Sequence, residues 1–423
     1  MKYLQLLIVS LLLASPAAAF ARIPVVGDAD EDTSFLELGG YVQSVSGVQY
    51  RTYDLPEPFD DSSGLNSEVI RLEWSGQLTD KVHFEVHNRL FFQTMSGQGA
   101  LGTGNVVGLG ATAQPDRTLD LSTSLIGEDG LIEDRDDAGL LLDHDIDRAA
   151  VTVYTDAADI TVGRQGITWG RAMIFPVADL WTRFSPFELD QTQKRGTDAV
   201  RVLAYPDFST ELDFIVADKG SLEDLSGGAR WGKTLDFGDV FVAGGKFWNE
   251  LIVMAGISAT KDHFRGRLEA AEPYDIDEGD FDLPRVTVGG DYIAADMQLS
   301  LEYHFNGAGA DSPDGYLAQL QSDVFTRGES YFLGRHYVGG LLSYSGFERT
   351  NLSLSVISNV GDPSFIVAPN FRYILSDEAD INVGAFQGFG EDPEVDLFGG
   401  GADVNSEYGT YGGFVFTQLR VFF

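Results

Sequence analysis

The sequence contains no cysteine in 423 residues, so no disulfide can brace it. Small exported domains lean on disulfides, and this chain must be held together in another way. Long apolar runs are also missing, except at the very start, where Leu4 to Leu13 lie within MKYLQLLIVSLLLASPAAAFA. Spanning a bilayer takes roughly 20 apolar residues, so that run is too short for an anchor helix. Its setting, with Lys2 before it and small residues after it, predicts a secretory leader over residues 1–21, cleaved after Ala19 or Ala21. No later stretch is apolar enough for a transmembrane helix. Basic residues are scarce: 28 Lys and Arg stand against 65 Asp and Glu, a formal net charge of −37. That balance excludes nucleic acid as a partner, because phosphate backbones need basic patches. It also excludes docking on anionic lipid through a polybasic surface. No Pro- or Ser-rich linker divides the chain, so a single large domain is expected.

What is present is alternation. In EVIRLEWSGQL, Ile70, Leu72, Trp74 and Leu78 share one face, and Arg71, Glu73, Ser75 and Gln77 the other. In MQLSLEYHF, Leu299, Leu301, Tyr303 and Phe305 oppose Gln298, Ser300, Glu302 and His304. HFRGRLEA and SFIVAPNFRYIL behave in the same way. A period of two is the signature of half-buried strands, not helices. Short polar connections recur at 78–81, 155–159, 205–209, 236–239, 260–263, 294–297, 348–351 and 376–380. Between them lie longer segments: 98–145, 171–197, 220–229, 273–284, 309–333 and 391–406. Transmembrane barrels have this asymmetry of short turns and long loops. The reading is an all-β, antiparallel transmembrane barrel of about 18 strands, with 16 as the other even count. Residues 22–33 would form an N-terminal periplasmic segment and residues 34–423 the barrel. A propeller would repeat every ~40–50 residues, and no such repeat is found.

The closing stretch, EYGTYGGFVFTQLRVFF, keeps its alternation to the last residue. It is expected to close the ring against a first strand near Phe35 to Tyr53, because a free edge in lipid leaves backbone groups unsatisfied. The terminal Phe423 with alternating apolar positions also resembles the assembly signature of bacterial outer-membrane barrels. That resemblance implies recognition by the barrel-assembly machinery, and surroundings of outer-membrane lipid and lipopolysaccharide.

If the apolar faces meet lipid, the opposite faces line the interior. The expected pore lining is Arg71, Glu73, Arg89, Arg148, Arg201, Lys246, Arg265, Arg267, Glu302 and Arg372. Arg285, Arg420, Glu85, Asp213, Glu269 and Asp291 fall on the same side. This is a more basic wall than the acidic loops outside, and it suits polar or anionic small solutes. Residues 171–197 contain Pro176, Pro186 and two apolar clusters without alternation. Such a segment is expected to fold into the barrel and narrow it, since long ordered loops are commonly functional. The candidate constriction is Arg171, Asp179, Arg183, Glu188, Asp190, Lys194 and Arg195.

The stretch GRQGITWG, the Pro-containing SPFELD and KRGTDAVRV resemble a group of bacterial outer-membrane proteins described as alginate-export-like or porin-like barrels. The resemblance covers about forty residues in detail. It implies a passive channel for polar, often anionic, solutes or for polysaccharide. The expected function is therefore an outer-membrane diffusion channel, with a polysaccharide export channel or a plugged structural or adhesive barrel as alternatives. A homo-oligomer is possible, and no cofactor is implied. GQGALG at 97–102 has the G-x-G-x-x-G spacing but no βαβ context. PYDIDEGDFD and EDRDDAGLLLDHDID are rich in carboxylates, yet neither has EF-hand spacing, and they read as solvated acidic loops, with loop-bound Ca2+ as the alternative. His83 and His87 flank Glu85 on one strand face, ~13 Å apart at ~3.3 Å per residue, too far for one metal. No complete catalytic set is visible, so an enzymatic barrel is not expected.

Overall fold

The computed structural model describes residues 23–26, 35–53, 61–96, 123–124, 131–133, 138–182, 193–221, 224–396 and 401–423. Eighteen strands form one closed antiparallel ring. They are β1 (Phe35–Tyr50), β2 (Ser62–Thr79), β3 (Val82–Ser96), β4 (Ala138–Tyr154), β5 (Ala158–Gln165) and β6 (Thr197–Asp207). β7 (Thr210–Ala217), β8 (Ser226–Leu235), β9 (Gly238–Phe247), β10 (Glu250–Lys261), β11 (Phe264–Asp275) and β12 (Arg285–Ile293) follow. β13 (Met297–Asn306), β14 (His336–Phe347), β15 (Thr350–Asn359), β16 (Ser364–Ser376), β17 (Ala379–Phe389) and β18 (Gly413–Phe422) complete it.

Each strand pairs with its chain neighbour, and β18 pairs with β1 from Tyr41↔Phe422 to Tyr50↔Gly413. The last residue takes part: Phe423 N–H donates to the Gly40 carbonyl (3.0 Å), and Gly40 N–H donates to the Phe423 carbonyl (2.8 Å). Gly40 has φ +153°, and a Cβ there would lie 2.1 Å from the Arg71 carbonyl oxygen, so only glycine fits this seam. Beyond the seam, Ile23–Val26 adds antiparallel to the start of β1, with Ile23 opposite Leu38. The ring thus has no free edge along its span.

All eight short turns lie at one end of the barrel, between β2 and β3, β4 and β5, and so on to β16 and β17. The longer connections lie at the other end. Two connections there are tight as well, at 248–249 and 360–363. The 307–335 connection carries two short helices, α1 (Tyr316–Leu320) and α2 (Asp323–Thr326). The outer face is apolar around most of the ring. Leu251, Val253, Ile257, Leu268, Val288 and Leu301 are between 41 and 63% exposed. A closed barrel girdled by such side chains is built to be covered by hydrocarbon.

Several connections differ from the sequence expectation by a few residues, and one differs by more. The 98–145 connection was expected to run to residue 145, but β4 begins at Ala138 and takes in Asp143, Asp145 and Asp147. Asp145 and Asp147 are not solvated loop acids; they are buried inside the barrel. Their spacing in DHDID is itself period two, and lumen cations make the carboxylates compatible with a strand.

Candidate channel constriction

At Gln165 the chain leaves β5 and turns into the lumen. Residues 166–182 have no regular structure and carry Ile167, Trp169, Val177, Ala178, Leu180 and Trp181, all buried. These side chains are too apolar to stand in water, and the inner wall opposite offers a matching surface. They pack with Ile215, Phe241, Ala243, Phe247, Ile252 and Met254 of β7, β9 and β10 in one cluster. The Trp169 and Trp181 rings meet edge to face at 5.2 Å, and Trp181 lies 4.7 Å from Phe247. The indole N–H of Trp169 is not orphaned, because it donates to Asp213 (2.8 Å). Asp213 also takes a two-pronged pair from Arg201, at 2.9 and 2.8 Å. Thr182 closes the excursion, accepting from Ile167 N–H (3.2 Å) and donating to the Ile167 carbonyl (2.8 Å).

An irregular segment inside a barrel leaves backbone N–H groups with no ladder to join, and each must find an acceptor. Two wall carboxylates supply it. Glu302 on β13 accepts from Met173 (2.7 Å), Ile174 (2.9 Å) and Phe175 (3.0 Å) N–H groups. Glu269 on β11 accepts from Ala172 (2.6 Å), Ala178 (3.4 Å) and Arg171 N–H groups. Thr287 on β12 donates its hydroxyl to the Phe175 carbonyl (2.7 Å). The segment therefore runs from β5 across the inner wall to β13, and two fixed negative charges pin it there. Arg267 stabilises this arrangement, lying 3.2 Å from Glu302 and pairing with Asp291.

The returning limb is held on the other side. Gln193 accepts from Arg71 (2.8 Å) and donates to Glu73 (2.6 Å). Arg148 donates to the Lys194 carbonyl (2.8 Å). Arg71 also pairs with Asp147 (2.5 Å) and Glu73 (2.8 Å) and contacts His87 (3.0 Å). The ladder skips a residue there: Arg148 faces His87, while Ile146 faces Asn88. The extra residue is Asp147, and the bulge turns its carboxylate toward Arg71. Arg164 binds Asp198 with two bonds, at 2.8 and 2.9 Å, and lies 3.6 Å from Asp145.

Of the seven expected constriction residues, Arg183, Glu188 and Asp190 lie outside the described residues. Arg171 keeps 41% of its side chain exposed and pairs with Asp239 at 3.2 Å. Asp179 is buried at 1% and works inside the segment, accepting from Trp169 N–H (3.3 Å) and pairing with Lys194. Arg195 is half-buried. Of the expected lining, Arg71, Glu73, Arg148, Arg201, Arg267 and Glu302 hold the contacts just described. Arg89 stacks over the Phe91 ring at 4.8 Å. Arg265 lies two residues before the buried Arg267 and shares its face, in the open near the short-turn end. Arg372 and Arg420 share Asp380, at 2.8 and 3.2 Å.

Lys246 is a correction. Phe241, Ala243 and Phe247 of β9 face inward, so Lys246 lies on the outward face. Its ammonium group reaches the carbonyls of Trp248 (2.5 Å) and Leu225 (3.4 Å) at the rim. The physical reason is that β9 and β10 are apolar on both faces, one toward hydrocarbon and one toward the in-folded segment, so polarity does not identify the inside. The expectation of a markedly basic wall also changes. Besides the acids already named, Glu211 pairs with Arg230 (2.5 Å), and Glu250 and Glu329 flank Arg285 at 3.7 and 3.1 Å. The inner surface is a set of paired charges, whose open members have both signs: Arg171 and Arg372 at 41 and 43%, Glu211 and Glu85 at 37 and 32%.

Beyond the constriction, a second layer sits at the long-loop end. Phe175, Phe332, Tyr337, Ile357, Ile366 and Tyr408 form one buried cluster that joins the in-folded segment to two outer loops. Glu407 is at its centre, fully buried, accepting from Tyr337 Oη (2.5 Å), Asn359 Nδ2 (2.8 Å) and Leu333 N–H (3.1 Å). Burial pushes its carboxyl up to about 8, against the pull of these donors.

No known protein-family model matches the sequence, and no curated protein sequence does either. Solved structures do. OccAB4 of Acinetobacter baumannii superposes with a TM-score of 0.53 at 9% identity, covering 94% of this chain and 100% of its own. OccK9 (OpdG) of Pseudomonas aeruginosa gives 0.52 at 8%, covering 92 and 97%. OpdK of Pseudomonas aeruginosa, solved with vanillate, gives 0.51 at 10%, covering 92 and 98%. At such identities the likeness is one of fold, and it extends over nearly the whole of each chain: this protein has the closed 18-stranded barrel of outer-membrane porins.

Proposed function

We propose that the protein is a porin-like channel of a bacterial outer membrane through which small polar solutes, organic anions among them, diffuse passively. The observation that carries this reading is the in-folded segment. It covers the inner wall from β5 to β13 on an apolar bed and is pinned by Glu269 and Glu302. A barrel that served only as an anchor would have no use for a narrowed lumen with fixed charges left open to water. Solutes would be sorted by size at this segment and by charge at Arg171, Arg372, Glu211 and Glu85. Organic carboxylates are supported by the fixed arginines and by the likeness to OpdK, whose structure holds vanillate. The mixed signs favour polar and singly charged solutes over a polyanionic chain, which would meet buried carboxylates along the whole wall. A liposome-swelling assay tests the proposal. Vesicles bearing the protein should swell in small sugars and in benzoate-like anions, and swelling should fall steeply with solute size. Swelling no faster than in empty vesicles, with a correctly folded barrel, would remove it.

A further inference from the structure

The in-folded segment, residues 166–182, shelters its large apolar side chains with one exception. Ile167, Trp169, Phe175, Val177, Leu180 and Trp181 are buried and Ile174 is half-buried, whereas Met173 is 45% exposed. This residue is not loose. Its N–H donates to Glu302 (2.7 Å), and the next two N–H groups bind the same carboxylate. Its side chain is held as well: the Ser300 hydroxyl (3.3 Å) and the Gln298 amide (3.5 Å) donate to its sulfur. Gln298 and Ser300 share the inward face of β13 with Glu302. The thioether therefore lies against the inner wall, and its open part faces the lumen.

A single exposed apolar residue on an outer surface is ordinary. Within a channel it has a consequence, because whatever passes is brought against it. The charged groups of the inner wall are paired and hold water, and they offer an apolar solute nothing to gain. Methionine suits contact with varied apolar bodies. Its chain is flexible, its sulfur is polarisable, and it makes favourable contacts with aromatic rings. With two donors on the sulfur, the terminal methyl is the part left to meet a solute.

We infer that Met173 is a specificity-determining residue: it receives the apolar face of a solute, an aromatic ring above all, and favours ring-bearing solutes over ring-free ones of the same charge. The effect on permeation rests on the diffusion-channel reading. The contact itself needs no current.

Benzenesulfonate and methanesulfonate share a head group and a charge and differ in the ring. Size alone lets the smaller ion pass faster. In bi-ionic recordings the parent channel should pass benzenesulfonate at least as readily as methanesulfonate. Met173→Gln, close in shape but polar, should lower that permeability ratio by about two- to ten-fold, and Met173→Leu should keep most of it. A second measurement is independent of conduction. The chain has five methionines, few enough for each methyl to be labelled with carbon-13 and assigned by substitution. In nanodiscs, the Met173 methyl signal should shift upfield as benzenesulfonate is added and stay in place with methanesulfonate. The signal of buried Met254 should not move. A Met173 shift without current in either salt would uphold the contact and remove the diffusion reading. A Met173 methyl unmoved by benzenesulfonate, or a permeability ratio that Met173→Gln leaves unchanged, would overturn the inference.

Discussion

Removing Glu302 should open the lumen without unfolding the barrel. Its carboxylate collects three N–H bonds at 173–175 and sits 3.2 Å from Arg267. Hydrogen bonds to a charged group contribute about 1.5–3 kcal/mol each, and they are not additive. Breaking one partner out of a buried charged network costs about 3–5 kcal/mol. Glu302→Ala therefore removes enough to free residues 173–175 from β13. The Trp169–Trp181 cluster and the Glu269 contacts still hold the rest of the segment. The barrel itself should survive, because the β12–β13 and β13–β14 ladders run through backbone groups. Single-channel recording should show conductance raised about two-fold or more and noisier, as a freed strand of chain moves in the lumen. Glu302→Gln keeps an acceptor oxygen and the shape, and should fall between the two. Heat-modified mobility on a denaturing gel checks that each variant is folded. A folded Glu302→Ala barrel with the conductance and noise of the parent would refute the claim that this carboxylate positions the segment.

Three further outcomes follow from the same contacts. Trp181→Ala should empty the centre of the inner cluster at about 3–5 kcal/mol, seen as a lower thermal midpoint in detergent and a larger conductance. Asp213→Asn should weaken the Arg201 pair and the Trp169 anchor together and shift ion selectivity toward anions, read from the reversal potential. The outer-loop layer should depend on pH through Glu407. Its folded value of about 8 lies above the ordinary 4.5, so the protonated form is favoured in the closed layer. That stabilisation is complete below about pH 4.5 and is lost as pH rises through about 8, by up to about 5 kcal/mol. Hydrogen exchange at 401–412 should rise beyond its intrinsic pH dependence between about pH 4.5 and 8 and show no further excess above 8, and Glu407→Gln should abolish that excess.

Much of the barrel is legible in the sequence because membrane strands have a rigid period. Ile70, Leu72 and Trp74 face out and Arg71 and Glu73 face in, as alternation requires, and each short turn falls where a polar cluster interrupts it. The closing seam is legible for the same reason, since the alternation of β18 runs on to its last residues, and these pair with β1. Legibility fails where the lumen is not wet. Lys246 was expected inside because the residues around it are apolar, yet Phe241 and Phe247 are apolar for the sake of Trp181. On β1 and β2, Val45 and Glu68 reverse the rule again. Asp145 and Asp147 read as loop acids because acidic composition suggests solvent, although Arg71 and Arg164 neutralise them inside. The carboxylate anchors at Glu269 and Glu302 could be placed on the inner face, but not matched to the amides of 171–178. Nothing in the sequence marks which backbone N–H groups lack a ladder.

The most direct test of the central claim is ion conductance of the refolded protein in a planar bilayer under a salt gradient. A narrowed, charge-lined channel predicts a steady unit conductance, with a non-zero reversal potential that shrinks toward zero as salt rises and screens the fixed charges. A folded barrel that passes no current at any salt would contradict it.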